Sequence, residues 1–233
     1  VGDTTGALYG TIGALLCLYK RATTRSMRGQ SVDVSLLESL YTMLSALAIG
    51  YDQLGLPGKR NGNRTSGSAP RNTYRTKDDR WVVIAGSTQQ ICERLFKEMG
   101  RPDLITDPRF KTNRDRVANV DALDEIVGAW ISERTQTECV DQLVKAAVAI
   151  VPVLDFKGLA EDPHLIARKA LATINDPEMG TLRMPDVQPR LSETPGRIKY
   201  AGRPMGICNK EIYQERLGLT EAEMKKLQAE GVI

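Results

Sequence analysis

The residue with the best claim on chemistry is Asp3, set in Gly2-Asp3-Thr4-Thr5-Gly6 at the mouth of a long apolar run. Two roles are open to it. As an N-cap, its carboxylate accepts hydrogen bonds from the free N–H groups of a first helical turn, which is the ordinary use of an aspartate in that place. As a nucleophile, it uses the same N–H groups and the positive end of the helix dipole, which keep the carboxylate ionised and steady negative charge on an acyl adduct. A second candidate is the stretch around Gly62 and Gly67, where Asn61, Asn63, Ser66 and Ser68 supply small polar neighbours. Its backbone amides can approach a ligand. It lacks the G-x-x-x-x-G-K-[ST] spacing of a phosphate loop, and composition alone also fits a plain linker.

Other chemistries are closed off. His164 is the only histidine, so a Ser-His or Cys-His scheme would have to pass through it, and at a helix start in Glu161-Asp162-Pro163-His164 it reads as a structural or surface residue. The cysteines, Cys17, Cys92, Cys139 and Cys208, lie far apart with no C-x-x-C pair, which excludes a zinc site of the usual spacing and suits reduced thiols. Cys17, on an apolar helix, is expected in the core. The 32 basic and 29 acidic residues are interspersed and leave a formal charge of +3, so no nucleic-acid footprint stands out. The most basic stretch, Lys59 to Lys77, is interleaved only by Tyr74 and reads as a solvated loop. No apolar run is long enough to span a membrane and nothing at the start resembles a signal peptide, so a cytoplasmic protein is expected. A chain that opens on Val1 at a helix entrance is expected to be a piece of something longer.

Positioning Asp3 falls to a helix predicted over 4–24, with Leu8, Ile12, Leu15, Leu16 and Leu18 buried. Gly6, Gly10 and Gly13 fall on or near one face, each at a cost of about 1 kcal/mol relative to alanine, so a backbone or ligand is expected to approach closely there. A turn at Arg28-Gly29-Gln30, a strand over 31–35 and a helix over 36–53 follow. The segment 54–71 loses all periodicity and forms a linker or functional loop. Next come a hairpin (72–76 and 81–85), helices over 88–99, 120–132 and 135–147, and a strand at 150–153 whose Pro152 suits an edge. A helix over 158–169 breaks at Pro163, and strands at 171–174 and 181–184 pair. Four prolines between 184 and 205 make an extended return. The end is helical again, over 210–216 and beyond a Thr220/Glu223 capping box.

Taken in order, these segments resemble the class III (formyl-CoA transferase-like) CoA-transferases. The likeness rests on Gly2-Asp3 before a glycine-bearing helix, on Arg28-Gly29-Gln30-Ser31-Val32-Asp33-Val34-Ser35 leading into Leu36-Leu37-Glu38-Ser39, and on Ala69-Pro70-Arg71-Asn72-Thr73-Tyr74. It continues through Asp107-Pro108-Arg109-Phe110, Val151-Pro152-Val153, Glu161-Asp162-Pro163-His164 and the closing Leu217-Gly218-Leu219-Thr220, and so covers nearly the whole chain. The resemblance implies an α/β fold, with a large nucleotide-binding-like domain built from both chain ends and a small inserted α+β domain, in an interlocked homodimer. On that plan residues 1–53 are large-domain, 54–71 linker and flap, 72–184 the small domain, 185–205 the return linker, and 206–233 the last helices of the large domain. A missing N-terminal segment, or a second chain, would supply most of the CoA pocket.

It also implies a reaction. Acyl-CoA and a free carboxylic acid are the substrates, with coenzyme A entering as substrate and no tightly bound cofactor. Asp3 would carry the acyl group as a mixed anhydride and then CoA as a thioester, under a flap at Gly67 and Ser68. Relatives that racemise 2-methylacyl-CoA esters have an acid/base carboxylate where this chain has Arg75, which speaks against a racemase-like enzyme. Asp79 stands where the family commonly has glycine, and Ile207-Cys208-Asn209 replaces a Glu-His segment. A non-catalytic partner subunit of the same fold is the third reading.

Overall fold

In the computed structural model, which describes residues 1–24 and 28–233, the first helix α1 runs from Gly2 to Thr24. The chain returns antiparallel along it through helix α2 (Leu36–Met43). Gly2 faces Leu40, Gly6 faces Leu36 and Gly13 faces Val32; a Cβ at Gly6 would run into the Leu36 side chain, and one at Gly13 would sit 2.7 Å from Val32 Cγ1. The close approach expected of these glycines is therefore made by side chains of the next segment. Gly10 faces nothing within 4 Å.

Four expectations for this region are corrected. Leu8, Ile12, Leu15, Leu16 and Leu18 are at least half exposed, because α2 and its lead-in cover only the narrow stripe that includes Thr5, Gly6 and Gly13. Cys17 is likewise only half-buried, and Gln30 Nε2 donates to its sulfur at 3.0 Å. Residues 31–35 are irregular rather than a strand, since no strand among the described residues offers them a ladder partner. The helix expected over 36–53 is two: α2, capped by Ser35, and α3 (Ser45–Leu54), closed by Gly55 at φ 62°. Between them Leu44 turns to φ −100°, ψ 18°.

The described residues divide into two units. The first comprises Val1–Tyr74, Ile84–Trp130 and Gln142–Ala149, the second Arg75–Val83, Ile131–Asp141 and Ile150–Ile233. Strands β1 (Arg71–Arg75), β2 (Trp81–Ala85) and β3 (Ile150–Val153) form one sheet in that order. Pro152 sits on an outer strand, the place in a sheet where a missing N–H is tolerated.

The first unit buries Ile84, Cys92, Leu95, Phe96, Leu104, Phe110, Leu123, Val127 and Leu143. Helix α4 (Gln89–Glu98) starts on a Thr88 cap, and α5 (Asn113–Ala118) on a Thr112/Asp115 capping box. Helices α6 (Val120–Ser132) and α7 (Gln136–Lys145) follow. In the second unit buried Gln136 donates through Nε2 to the carbonyls of Trp81 (2.7 Å) and Val153 (3.3 Å). Helices α8 (Phe156–Glu161) and α9 (Pro163–Ala167) break at the expected proline, with Asp162 capping the second. Strands β4 (Leu171–Asp176) and β5 (Gly180–Pro185) pair antiparallel, from Leu171 opposite Pro185 to Asp176 opposite Gly180. A π-helix (Lys210–Arg216) precedes α10 (Glu221–Ala229), whose Thr220/Glu223 capping box forms as expected.

The turn after β1 explains one departure from the family pattern. Asp79 adopts φ 61°, a left-handed conformation that suits glycine and, among side chains, aspartate and asparagine best. Its carboxylate accepts from Arg75 at the surface. A β-branched residue lacks that tolerance, so Asp79→Val is expected to lower stability by about 1–2 kcal/mol, whereas Asp79→Gly stays within about 0.5 kcal/mol of the parent. Urea midpoints of the two variants give the comparison, and equal midpoints would remove the left-handed turn from the explanation.

Candidate active site

Asp3 does not cap α1. The helix already includes Gly2, and the Val1 carbonyl accepts both Thr5 N and Thr5 Oγ1, each at 2.9 Å. Asp3 is thus an acidic residue of the first turn, beside the positive end of the helix dipole. It is exposed, and its carboxylate makes no hydrogen bond among the described residues. Its placement comes from the seam beneath it, where buried Thr5 and Gly6 set the first turns of α1 against α2.

The segment carrying Gly67 and Ser68 belongs to the same unit, and no hydrogen bond among the described residues joins it to Asp3. Gly62 turns the chain at φ 60°. Gly67, by contrast, is not left-handed, and a Cβ there would meet open space. Its carbonyl accepts Asn113 Nδ2 at 2.9 Å, and Ser68 is half-buried. Asn113 Oδ1 accepts Ala69 N at 3.3 Å, while Arg116 Nε donates to Ala69 O at 2.7 Å. At the other end Arg64 reaches Asp121 (2.6 Å) and Asp124 (2.7 Å) of α6, and Asn63 Nδ2 donates to Thr73 Oγ1 at 2.6 Å. The stretch that looks like a solvated linker in sequence is therefore fastened by side chains about fifty residues later in the chain, a separation at which local patterning carries no signal.

Two buried polar groups support this segment. Asp124 accepts Tyr74 OH at 2.5 Å and Asn72 Nδ2 at 2.8 Å besides Arg64. Burial, with the hydrogen bond to Asp124 second, drives the Tyr74 phenol far above its ordinary range, so Tyr74 acts as a fixed donor. The hydrogen bond to Asp121 raises the Arg64 guanidinium further and holds it charged. Arg116 is fully buried and donates to Ala69 O, to Gln89 Oε1 at 2.8 Å and to Phe110 O at 3.1 Å, with its second terminal nitrogen unpartnered.

The remaining candidates separate from chemistry. Burial pushes the Cys92 and Cys139 thiols up to about 11, so neither offers a thiolate near neutral pH. His164 is exposed in the short α9, and no cluster of metal-ligating residues occurs among the described residues. No described helix is long and apolar enough to cross a membrane.

The chain is similar to known proteins. The family model of CoA-transferase family III matches residues 1–206. Succinyl-CoA–D-citramalate CoA-transferase of Chloroflexus aurantiacus is 36% identical over the full chain, which covers 58% of that protein. Formyl-CoA:oxalate CoA-transferase of Streptomyces coelicolor is 25% identical, again over the full chain and 60% of its own length. A crystal structure of a CAIB/BAIF family protein from Brucella suis superposes with a TM-score of 0.75 at 25% identity, covering 92% of this chain and 55% of that one. The chain thus spans somewhat more than half the length of these relatives, and with most of its residues matched it belongs to CoA-transferase family III.

Proposed function

We propose that this chain contributes the nucleophile of an acyl-CoA:carboxylate CoA-transferase, and that the nucleophile is Asp3. The observation that carries the reading is an exposed first-turn carboxylate with no hydrogen bond among the described residues, at the position the family resemblance assigns to the acyl carrier. Relatives named for succinyl-CoA make that thioester the donor we favour, with a small hydroxylated or dicarboxylic acid as acceptor.

The chemistry runs through four acyl transfers. The Asp3 carboxylate attacks the donor thioester carbonyl, and CoA leaves as thiolate, giving a mixed anhydride. The thiolate then attacks the Asp3 carbonyl of that anhydride, expelling the donor acid as its carboxylate and leaving an aspartyl-CoA thioester. The acceptor carboxylate attacks this thioester and releases the thiolate again. Attack of the thiolate on the acceptor's acyl carbon gives the new acyl-CoA and frees Asp3. Each oxyanion along the way forms near the first-turn N–H groups of α1. Anhydrides hydrolyse readily, and the loop bearing Gly67 and Ser68 serves as the cover that excludes water, rearranging between the free and acyl-CoA-bound protein.

The same reading assigns 1–53 and 206–233 to a large domain and 72–184 to a small one, in a cytoplasmic homodimer. The outward apolar residues of α1 and α2, such as Leu15 and Leu37, fit cover from a second copy. Arg75, tied to Asp79, offers no carboxylate for proton abstraction and leaves the racemase-like reading without a base.

A trapping experiment tests the assignment. Full-length protein incubated with succinyl-CoA and quenched in hydroxylamine is expected to carry a hydroxamate on the Asp3 peptide, by mass spectrometry, only when the thioester is present. A hydroxamate on a different carboxylate, or none under turnover, would overturn it.

A further inference from the structure

The loop between α3 and β1 is held by two fastenings of different kind. At its C-terminal end, Asn113 takes Gly67 O and Ala69 N while buried Arg116 takes Ala69 O, which fixes the chain where it enters β1. At its N-terminal end the holding falls mainly to Arg64, with an exposed hydrogen bond from Asn63 Nδ2 to Thr73 Oγ1 beside it. Arg64 is one-third exposed and bridges Asp121, which is 84% exposed, and Asp124, which is 9% exposed.

The difference lies in what release would leave behind. An isolated buried carboxylate is costly, yet Asp124 keeps Tyr74 OH and Asn72 Nδ2 when Arg64 departs. Asp121 returns to water. Arg64 also lines a cleft of about 500 Å3 with Arg60, Asn61, Thr65 and Ser66, so its side chain has room to swing. One end of the loop is therefore a permanent hinge and the other a reversible clasp.

We propose that Arg64 and Asp124 form a latch that holds the 61–68 loop against α6, and that both are positioning residues for protection of the acyl intermediates. The catalytic half of this inference rests on the CoA-transferase reading; the latch itself does not. Asp124 supplies the fixed post, Tyr74 and Asn72 brace it, and Arg64 is the arm. Asp121 adds only a screened surface contact.

Hydrogen exchange of the free full-length protein across 61–68, and the ratio of acyl-CoA hydrolysis to CoA transfer, decide the matter for Arg64→Ala, Arg64→Lys and Asp121→Asn. Arg64→Ala is expected to speed exchange in 61–68 on the order of tenfold, the scale of one lost charge-assisted hydrogen bond, with α4 and α6 unchanged. The hydrolysis-to-transfer ratio rises with it, Arg64→Lys restores part of both, and Asp121→Asn moves neither by more than about twofold. Unchanged exchange in Arg64→Ala, or acceleration spread equally through α4 and α6, overturns the latch. Faster exchange with an unaltered ratio overturns the positioning role. A parent protein that shows no transfer at all would sink the enzymatic reading while the exchange data still judge the latch.

Discussion

Asp3→Asn in the full-length protein is expected to remove CoA transfer, by a factor on the order of 10^4 or more, as when the residue that carries a covalent intermediate is lost. The amide matches the carboxylate in size but has no charge with which to form the anhydride. Stability should hardly move. Asp3 is exposed and makes no hydrogen bond among the described residues, so the variant forgoes only its interaction with the helix dipole, about 0.3–1 kcal/mol. Steady-state transfer assays paired with a thermal melt separate the two effects. Normal turnover by Asp3→Asn would make Asp3 an ordinary first-turn acid and move the search for a nucleophile elsewhere.

The largest loss of stability is expected at Arg116. Its guanidinium is fully buried and satisfies three acceptors, Ala69 O, Phe110 O and Gln89 Oε1. Arg116→Met keeps much of the volume but strips those acceptors of their donor, each at about 1–3 kcal/mol where water cannot replace it. Part of that is offset, because among the described residues no carboxylate hydrogen-bonds this buried cation and removing it relieves desolvation. A net cost of roughly 3 kcal/mol remains, read as a lower urea midpoint with an unchanged slope. A variant as stable as the parent would show that Arg116 is held by the fold rather than holding it.

Helices and hairpins were legible in the sequence where the signal is local. The α4, α6 and α7 helices, the break at Pro163, the edge position of Pro152 and the Thr220/Glu223 box all follow from periodicity, proline geometry or capping chemistry within a few residues. Periodicity failed at α1 because an apolar face states what a side chain prefers, and Leu8 through Leu18 find no cover among the described residues. The expected strand at 31–35 failed for a related reason, since β propensity needs a neighbouring edge to pair with. At the candidate site the place of Asp3 at a helix start was legible locally, whereas its candidacy as a nucleophile came from the family resemblance. Arg64, Asn113, Arg116 and Asp124 were not, because each looks like a surface residue until the fold sets it beside a partner far along the chain.

Gly67 carries a last implication, of interest to anyone reading a saturation library. Its backbone needs no left-handed angle and its missing Cβ would touch nothing, so the free chain places no demand on residue 67. Most side chains should therefore survive a selection for folding alone. If a selection for turnover then admits only glycine, the restriction is imposed by a bound molecule or by a different backbone state, and the gap between the two selections marks the place where the resting conformation stops and the working one begins.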